Sequence, residues 1–550
     1  MEEVLSLPRR SPAVLLALLG AISPLLSRAS APPPVAAGGS SSDPFAPGLR
    51  WSFAAPPSAP WIPRAVALVG DGELCWVAPA GGTPSLALFA AAEIRDPDLP
   101  LFADPGLSGA IGPIQVAAGD DPGELFALVQ LPGPVSPLRR TIATCHDAVA
   151  AAGGAAFAPC WSHEVGVPGN GPALLATDAG GGVLVAAAFD AGSRRVRLES
   201  LDPRTGALLA AAELPAPALR NLAVAAAGPC AVVLAGDRAV VLDLALATLH
   251  STALAAAGAG LALSADGTRI AVGDGGEVFL LERAGGAWSR RTLLAGGLDE
   301  LAVGVALSAA GDVLAATWWN GATGADVRCM IVDAATGTPR AGWAQAGAAG
   351  SLQNFPSALA ITPDGSRVAV GLWGAGDGRP EVVLLDATTG ATLLAADLPG
   401  SALALALDPG GTRVAVAMKD THANLFSTTG AVRLYDTGER DLQLTRGLVV
   451  GGRLELALAG PPATAAIFAA GTPLVDPLPL ALLGGDLWID LACPILLLPV
   501  PPGPDGRAGA GADLPADPAL AGLPVAVQAA ALLLGGGIEL AERVVRVRVL

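Results

Sequence analysis

A fourteen-residue segment that the chain repeats constrains its fold more than any other sequence feature. The segment ALAITPDGSRVAVG (residues 358–371) returns as ALALDPGGTRVAVA (residues 404–417). Weaker copies occur along the chain, and each has a glycine at the same turn position: Gly72, Gly123, Gly180, Gly228, Gly267, Gly311, Gly365 and Gly411. Their spacing runs from 39 residues (228 to 267) to 57 residues (123 to 180). Repeats of this length indicate a modular array rather than one continuous core.

Each copy predicts a β-hairpin. In the turn TPDG (residues 362–365) the proline presets φ, the aspartate bonds its own backbone and the glycine accepts a positive φ. A third strand then ends in a D-x-x-T-G turn, at Gly206, Gly337 and Gly390, and a short fourth strand follows. We therefore expect an all-β fold: a β-propeller of about eight four-stranded blades. An alternative of seven blades stays open, because residues 125–173 are irregular.

The sequence divides into three predicted regions. Residues 1–37 predict a signal peptide and a disordered start, because Arg9 and Arg10 precede an apolar run and then small residues. Residues 50–447 predict the propeller, and the run LRWSFAA (residues 49–55) would supply the outer strand that closes its ring. Residues 448–550 lack the hairpin repeat and show short strands between Gly/Pro turns, which favours a small β-sandwich.

Charge and hydropathy exclude two classes of partner. The formal net charge of −17, with no long cluster of Lys and Arg, argues against a nucleic-acid ligand. After the N-terminus no uninterrupted apolar run approaches the ~20 residues of a spanning helix, so no membrane span is expected. With the predicted signal peptide, we expect a secreted protein, either extracellular, periplasmic or at the cell surface, and a monomer.

The repeat also carries a family resemblance. The D-x-x-T-G strand ends and the S/T-P-D-G-x-x-V-A-V hairpins resemble the YVTN and quinoprotein-like (WD40-like) β-propellers of secreted bacterial proteins, over roughly residues 50–445. The C-terminal region resembles the small domain of unknown role appended to large proteins of that kind. Such a resemblance implies the fold and leaves the activity open. Quinone-dependent relatives usually carry a tryptophan after D-x-x-T-G; here only Trp343, after Asp333, matches.

Topology predicts the position of a ligand site. In a propeller, the loops from the second to the third strand and the loops entering each blade lie on one face. These loops hold aromatic and polar residues of the kind that anchor ligands. The candidate ligand-binding residues are Trp161, His163, Trp318, Trp319, Asn320, Trp373, Asp377, Arg379, Lys419, Asp420 and His422. In the alternative interpretation the tryptophans only pack between blades. Since Trp318 and Trp319 are adjacent in an extended segment, at most one would face the ligand.

Two functions are consistent with these sequence features. The first is a non-enzymatic secreted binding module for a protein or glycan ligand at that face. The second is a propeller enzyme, lactonase-like or quinone-dependent, with a metal or cofactor at the channel mouth. Common catalytic motifs such as HExxH and GxSxG do not occur in the sequence, and it predicts neither a catalytic set nor a cofactor or metal site.

Overall fold

The computed structural model describes most of the chain from residue 48 onward. The described residues are 48–54, 61–69, 74–79, 86–90, 102–103, 115–118, 124–133, 138–147, 159–166, 169, 171–178, 182–225, 231–256, 260–347, 352–374, 376, 378–437, 442–446, 453–459, 463–480, 485–489, 496–501, 507–513, 515–517, 524–533, 538–540 and 545–548. The predicted signal peptide lies outside them.

All regular elements within these ranges are β-strands. The structure contains no helix there with the length and apolarity needed to cross a membrane. The strands fall into two compact units, which contain β1 to β32 and β33 to β42.

The first unit is a β-propeller, as predicted. Its described residues form eight antiparallel four-stranded sheets, numbered here as blades 1 to 8. The innermost strand of each blade contacts the innermost strands of both neighbours, and that of blade 8 contacts that of blade 1, so the ring is closed.

The strand bounds of blades 1 to 4 are as follows. Blade 1 contains β2 (Pro63–Val69), β3 (Leu74–Pro79), β4 (Ala87–Ala90) and β5 (Phe102–Ala103). Blade 2 contains β6 (Gln115–Ala118), β7 (Glu124–Pro132), β8 (Arg139–Asp147) and β9 (Trp161–Glu164). Blade 3 contains β10 (Ala173–Thr177), β11 (Leu184–Asp190), β12 (Arg195–Leu201) and β13 (Leu208–Pro215). Blade 4 contains β14 (Leu219–Val224), β15 (Ala231–Ala235), β16 (Arg238–Leu242) and β17 (Thr248–Ala253).

Blades 5 to 8 follow the same order. Blade 5 contains β18 (Leu261–Leu263), β19 (Arg269–Asp274), β20 (Glu277–Ala284) and β21 (Ala287–Ala295). Blade 6 contains β22 (Glu300–Leu307), β23 (Val313–Asn320), β24 (Val327–Asp333) and β25 (Pro339–Gln345). Blade 7 contains β26 (Pro356–Ile361), β27 (Arg367–Leu372), β28 (Val382–Asp386) and β29 (Thr392–Ala396). Blade 8 contains β30 (Ser401–Leu407), β31 (Arg413–Lys419), β32 (Gly430–Asp436) and, as its outer strand, β1 (Gly48–Ala54).

The ring closes through its N-terminal strand, as the run LRWSFAA predicts. Strand β1 pairs antiparallel with β32, from Gly48 opposite Asp436 to Ala54 opposite Ala431. Trp61, which is fully buried, packs edge-on against Phe53 at 5.3 Å between ring centroids. The first and last parts of the propeller sequence therefore share one sheet, which leaves blade 8 no unpaired outer edge along β32.

The turn chemistry of the repeat is also observed. The anchor glycines of the described turns, Gly267, Gly311, Gly365 and Gly411, all adopt positive φ, between 64° and 72°. A Cβ at Gly365 would lie 2.6 Å from Cγ2 of Val313 in the preceding blade, so this position requires glycine for space as well as for conformation. The other four anchor glycines lie outside the described residues.

The D-x-x-T-G turns are held by their aspartates. In Asp386-Ala-Thr-Thr-Gly390, the Asp386 carboxylate accepts hydrogen bonds from the amides of Thr388 and Thr389 at 3.0 and 2.8 Å, and Gly390 takes a φ of 72°. At the equivalent turn, the Asp333 carboxylate accepts hydrogen bonds from the amide and the hydroxyl of Thr336. These bonds lower the pKa of the Asp333 carboxyl to about 2. The motif is thus a side-chain-capped turn.

The core of the propeller lies between blades. Apolar side chains from the facing sides of adjacent sheets form separate buried clusters, for example Val185, Leu198, Val233 and Leu242 between blades 3 and 4. Because both faces of a blade are covered, the inner strands read as continuous apolar runs in the sequence. This packing accounts for the apolar character of the inner strands.

The described residues of the second unit form ten strands: β33 (Leu442–Arg446), β34 (Arg453–Ala459), β35 (Ala463–Gly471), β36 (Pro473–Leu480), β37 (Gly485–Ile489), β38 (Leu496–Val500), β39 (Arg507–Asp513), β40 (Pro524–Leu533), β41 (Ile538–Leu540) and β42 (Val545–Arg548). One sheet has the order β33-β34-β39, and another centres on β35 and β40. Leu456 of the first and Phe468 of the second share one buried cluster. This is the packing that a β-sandwich requires, and the assignment to that fold remains a proposal.

Candidate functional site

The candidate site is the face of the propeller formed by the loops between second and third strands and the loops that enter the next blade, termed here the loop face. Backbone hydrogen bonds join these loops across blades 6 and 7. The Asn354 amide donates to the Gly324 carbonyl at 3.0 Å, and the Trp373 amide donates to the Phe355 carbonyl at 2.9 Å. Asn354 is fully buried, and its Oδ1 accepts from the Gly374 amide at 3.0 Å. The loops therefore hold one another in place.

A row of aromatic rings runs beneath this face from blade 6 to blade 8. Phe355 lies between Trp319 and Trp373, with ring centroids 5.5 and 5.0 Å away, and Trp373 meets the ring of His422 edge-on at 6.3 Å. Edge-to-face and tilted pairs at these separations are favourable. The structure thus brings Trp319, Trp373 and His422 of the predicted set together, through a phenylalanine that was not among the predicted site residues.

His422 fixes the long loop of blade 8 rather than facing outward. It is 6% exposed; its Nε2 lies 2.8 Å from the Gln353 carbonyl, and its Nδ1 accepts from the Asn424 amide at 3.1 Å. An imidazole that accepts at Nδ1 must carry its proton at Nε2 to donate to Gln353, so the ring is neutral. The loop of blade 8 is therefore attached to the loop that enters blade 7.

Lys419 has a similar structural role. Its ammonium donates to the carbonyls of Ala423, at 3.2 Å, and Leu425. Burial, and to a smaller extent the charge of Arg64, lowers the pKa of Lys419. The lysine thus closes the loop on itself by binding the carbonyls of its turn, and its charge is not presented to a ligand.

Two predicted tryptophans belong to the blade cores. Trp318 is 1% exposed, donates from Nε1 to the Gly276 carbonyl at 3.1 Å and lies under the guanidinium of Arg328 at 4.3 Å. Trp161 is buried in the cluster between blades 2 and 3, and its Nε1 donates to the Pro203 carbonyl at 2.7 Å. Neither ring is available to a ligand, which corrects their assignment as candidate ligand-binding residues.

The remaining predicted residues are dispersed. Asn320 caps its own turn, since its Oδ1 accepts from the amides of Ala322 and Thr323. Arg379 and Asp420 are half-buried on loops of blades 7 and 8. His163 lies apart from the aromatic row, at a cavity between blades 2 and 3. Asp377 lies outside the described residues.

A buried carboxyl lies at the base of the blade 7 loop. Glu381 is 5% exposed, and its Oε2 accepts from the Leu398 amide at 2.6 Å. Burial, together with the nearby Asp397 carboxylate, raises the pKa of Glu381 to about 7. The Glu381 amide donates to the Ala396 carbonyl, and the Glu381 carbonyl accepts from the Leu372 amide. Glu381 lies one residue before β28, and these bonds hold the base of the loop that begins at Trp373.

The prediction from sequence missed the most exposed apolar groups of the loop face. Among the described residues of these loops, four large apolar side chains are exposed and are termed here the apolar loop residues: Leu298, Leu352, Leu425 and Phe426. Phe426 is 91% exposed and Leu298 is completely exposed. A signal was available in the segment THANLFSTTG (residues 421–430), where two large apolar residues interrupt a polar turn sequence. The prediction relied on the loop tryptophans instead, although exposed apolar patches are the stronger sign of a binding surface.

Comparisons with known proteins assign no family to this chain. A scan against models of protein families gives no match, and a search of curated proteins gives none either. Among solved structures, the chain is similar to one described as the structure of the Dos1 propeller, with a TM-score of 0.48 and 12% sequence identity. The similarity covers 72% of this chain and 96% of that one.

Proposed function

We propose that the propeller is a non-enzymatic binding module that recognises a protein partner through its loop face. The observation that carries this proposal is the exposure of Leu298 and Phe426 on loops that are fixed from below by hydrogen bonds and aromatic packing. These two side chains are far more exposed than the outer-strand Leu209 and Leu249, and a binding surface gains from the desolvation of such groups on association. A rigid base lowers the entropic cost of ordering such groups when the partner binds.

A protein partner fits this face better than a glycan. Sugars stack on open aromatic faces, but the rings of Trp319 and Trp373 are half-buried against Phe355. The groups that are open are the aliphatic and phenyl side chains of the apolar loop residues, which suit apolar pockets of another protein. Selective binding in a glycan array, lost on mutation of Trp373, would favour the glycan alternative.

The test compares two pairs of substitutions. The double variant Leu298→Asp/Phe426→Asp places charges on the loop face, and the matched variant Leu209→Asp/Leu249→Asp places them on exposed outer-strand positions of blades 3 and 4. Both variants should melt close to the wild type, because surface substitutions usually change stability by about 0.5 kcal/mol or less. Partner capture by cross-linking from the native source should be lost only in the first variant. Equal capture by all three proteins would contradict the proposal.

We propose in addition that the protein acts outside the cytoplasm and belongs to the YVTN and quinoprotein-like propellers. The support is the N-terminal pattern of Arg9-Arg10 followed by an apolar run, and the recurring D-x-x-T-G and PDG turns. N-terminal sequencing of the mature protein from the native source tests the first part. A mature protein that still begins at Met1 would contradict export by a cleaved signal peptide.

The enzyme alternative remains a prediction with a direct test. A lactonase-like or quinone-dependent propeller would hold a metal or cofactor at its channel mouth. Elemental analysis and an absorption spectrum of the natively purified protein distinguish it from the binding module. A stoichiometric metal or a quinone absorption band would favour the enzyme.

A further inference from the structure

A cavity of about 380 Å³ lies between blades 2 and 3, apart from the aromatic row and the apolar loop residues. It is formed by the edges of β7 and β9 on one side and by β11, β12 and β13 on the other. Its volume lies within the range of about 300–1,000 Å³ that small-molecule sites occupy. Residues that define it include Gln130, His163, Phe189, Arg195, Glu199 and Glu213.

The fixed centre of this cavity is a buried carboxylate. Glu199 is 3% exposed and accepts three hydrogen bonds: from Nε2 of His163 at 2.8 Å, from Nε of Arg197 at 2.9 Å and from the Gly166 amide at 3.1 Å. Since Nε2 of His163 is bonded to this carboxylate, Nδ1 is the ring nitrogen left to bond a ligand. Glu199 therefore orients both a ring nitrogen and a guanidinium at the cavity wall.

Most of the charged groups that line the cavity are in ion pairs, and the Asp190 carboxylate is bonded by backbone amides. Glu213 lies 3.2 Å from NH1 of Arg195 and 3.6 Å from NH1 of Arg197. The Asp190 carboxylate accepts from the amides of Gly192 and Ser193 in its own turn.

The polar side chains on the blade 2 side of the cavity also have bonding partners. Glu164 forms a bidentate pair with Arg140, and Gln130 donates to the Gly171 carbonyl while accepting from Arg139. A ligand charge at the centre of the cavity would have to separate the buried Glu199 carboxylate from His163 or Arg197, which is costly away from water. The Arg140–Glu164 and Arg195–Glu213 pairs are exposed and contribute little to this cost.

Paired groups of this kind still have hydrogen-bonding capacity. Carboxylate oxygens accept more than one bond and a guanidinium has five N–H donors, so several positions at the wall can serve a ligand without separating an ion pair. Beside them, Phe189, Leu208 and Ala188 supply an apolar surface. A hydroxyl group both donates and accepts, so it can join a guanidinium to a neighbouring carboxylate.

We infer that this cavity binds a small, uncharged, hydroxyl-rich molecule, of which a monosaccharide is the simplest example. Its hydroxyl groups bond to the walls formed by His163, Arg195 and Glu213, and its C–H face packs on Phe189 and Leu208. The site is separate from the loop face, so this inference does not depend on the proposed protein-binding function.

Isothermal titration calorimetry on the full chain tests the inference with D-glucose, D-galactose and D-mannose, each at up to about 10 mM. Charged analogues of the same size, D-glucuronate and D-glucosamine, serve as comparison ligands. At least one neutral sugar should bind saturably, and its charged analogue should bind about tenfold more weakly or worse, because its charge disturbs the hydrogen bonds of the buried Glu199 carboxylate.

Two variants locate the binding in this cavity. His163→Ala and Arg195→Ala should each weaken the affinity for the neutral sugar about tenfold, whereas Arg238→Ala, on blade 4, should leave it unchanged. Arg195 is about half exposed, so its removal preserves the fold even where His163→Ala does not. The inference is overturned if no neutral sugar binds, if a charged analogue binds more tightly, or if Arg195→Ala binds as the wild type does.

Discussion

At the scale of single residues, two adjacent tryptophans of one strand differ in burial because their side chains lie on opposite sides of the blade. Trp318 and Trp319 are neighbours on β23, but the first ring enters the core between blades 5 and 6 while the second lies half-buried on the other side. This is the alternation of an extended strand. The aromatic row therefore packs beneath the described loops, and the exposed apolar groups on those loops are leucines and Phe426.

Trp318→Ala should destabilise the propeller severely. Removing a buried tryptophan costs about 3–5 kcal/mol, and this ring also donates to Gly276 and lies under Arg328. Denaturant unfolding monitored by circular dichroism measures the loss, with Trp319→Ala as the comparison, which should lose clearly less. Equal losses at the two positions would show that Trp319 is as much a core residue as Trp318.

Glu381→Gln should stabilise the protein at alkaline pH only. Because the folded-state pKa of Glu381 is raised to about 7, its contribution to stability is present below its ordinary pKa of 4.5 and is lost as the pH rises through 7. Glutamine keeps an acceptor for the Leu398 amide and carries no charge beside Asp397. The melting temperature should therefore rise relative to wild type at pH 8 and change little at pH 4.5. A shift of the same size at both pH values would contradict this.

At the scale of elements, the repeated hairpin also explains how neighbouring blades are joined. The arginine that follows the turn, Arg269 in blade 5 and Arg367 in blade 7, donates to the carbonyl of the anchor glycine in the next blade, Gly311 and Gly411, at 2.8 and 2.9 Å. One sequence pattern thus supplies a turn and an interblade hydrogen bond. The turn that accepts this bond requires glycine, since a Cβ at Gly411 would lie 2.7 Å from Cδ of Arg367.

Arg367→Ala should weaken the contact between blades 7 and 8. The guanidinium donates to both the Gly411 carbonyl and the hydroxyl of Thr437, and bonds from charged donors contribute about 1.5–3 kcal/mol. Thermal unfolding should show a drop of that order, with faster amide exchange in β31 than in the wild type. Arg238→Ala, whose side chain bonds to Ser251 in its own blade, is the matched control and should be nearly neutral.

At the scale of the whole molecule, the propeller unit is stabilised by closure of its ring. Blade 8 is completed by β1, which comes from the opposite end of the propeller sequence, and Trp61 adds a bond from its amide to the Thr428 carbonyl at 2.7 Å. Contacts between strands so distant in sequence are costly in chain entropy and form only when the rest of the ring is in place.

Deletion of residues 1–55 should open the ring. Without β1 the edge of β32 is unpaired, and Trp61 loses its packing partner Phe53. The truncated protein should therefore aggregate, or melt at a much lower temperature than a control chain that begins at residue 38. Size-exclusion chromatography and thermal melts compare the two chains. A monomeric, equally stable truncated protein would show that β1 does not close the ring.

The repeating unit could be predicted from the residues alone, because its information is local: a turn such as TPDG specifies a hairpin through φ preferences and neighbouring hydrogen bonds, and apolar runs on either side specify strands covered on both faces. The closing strand could also be predicted, from the run LRWSFAA before the first blade. The burial of the individual loop and cavity residues could not be predicted in this way. Whether Trp318 or Phe426 is exposed to solvent depends on packing between blades. The hydrogen bond between His163 and Glu199 joins residues 36 positions apart, and it depends on how one blade is rotated against the next. Those relations are set by long-range packing, which no local pattern of residues encodes.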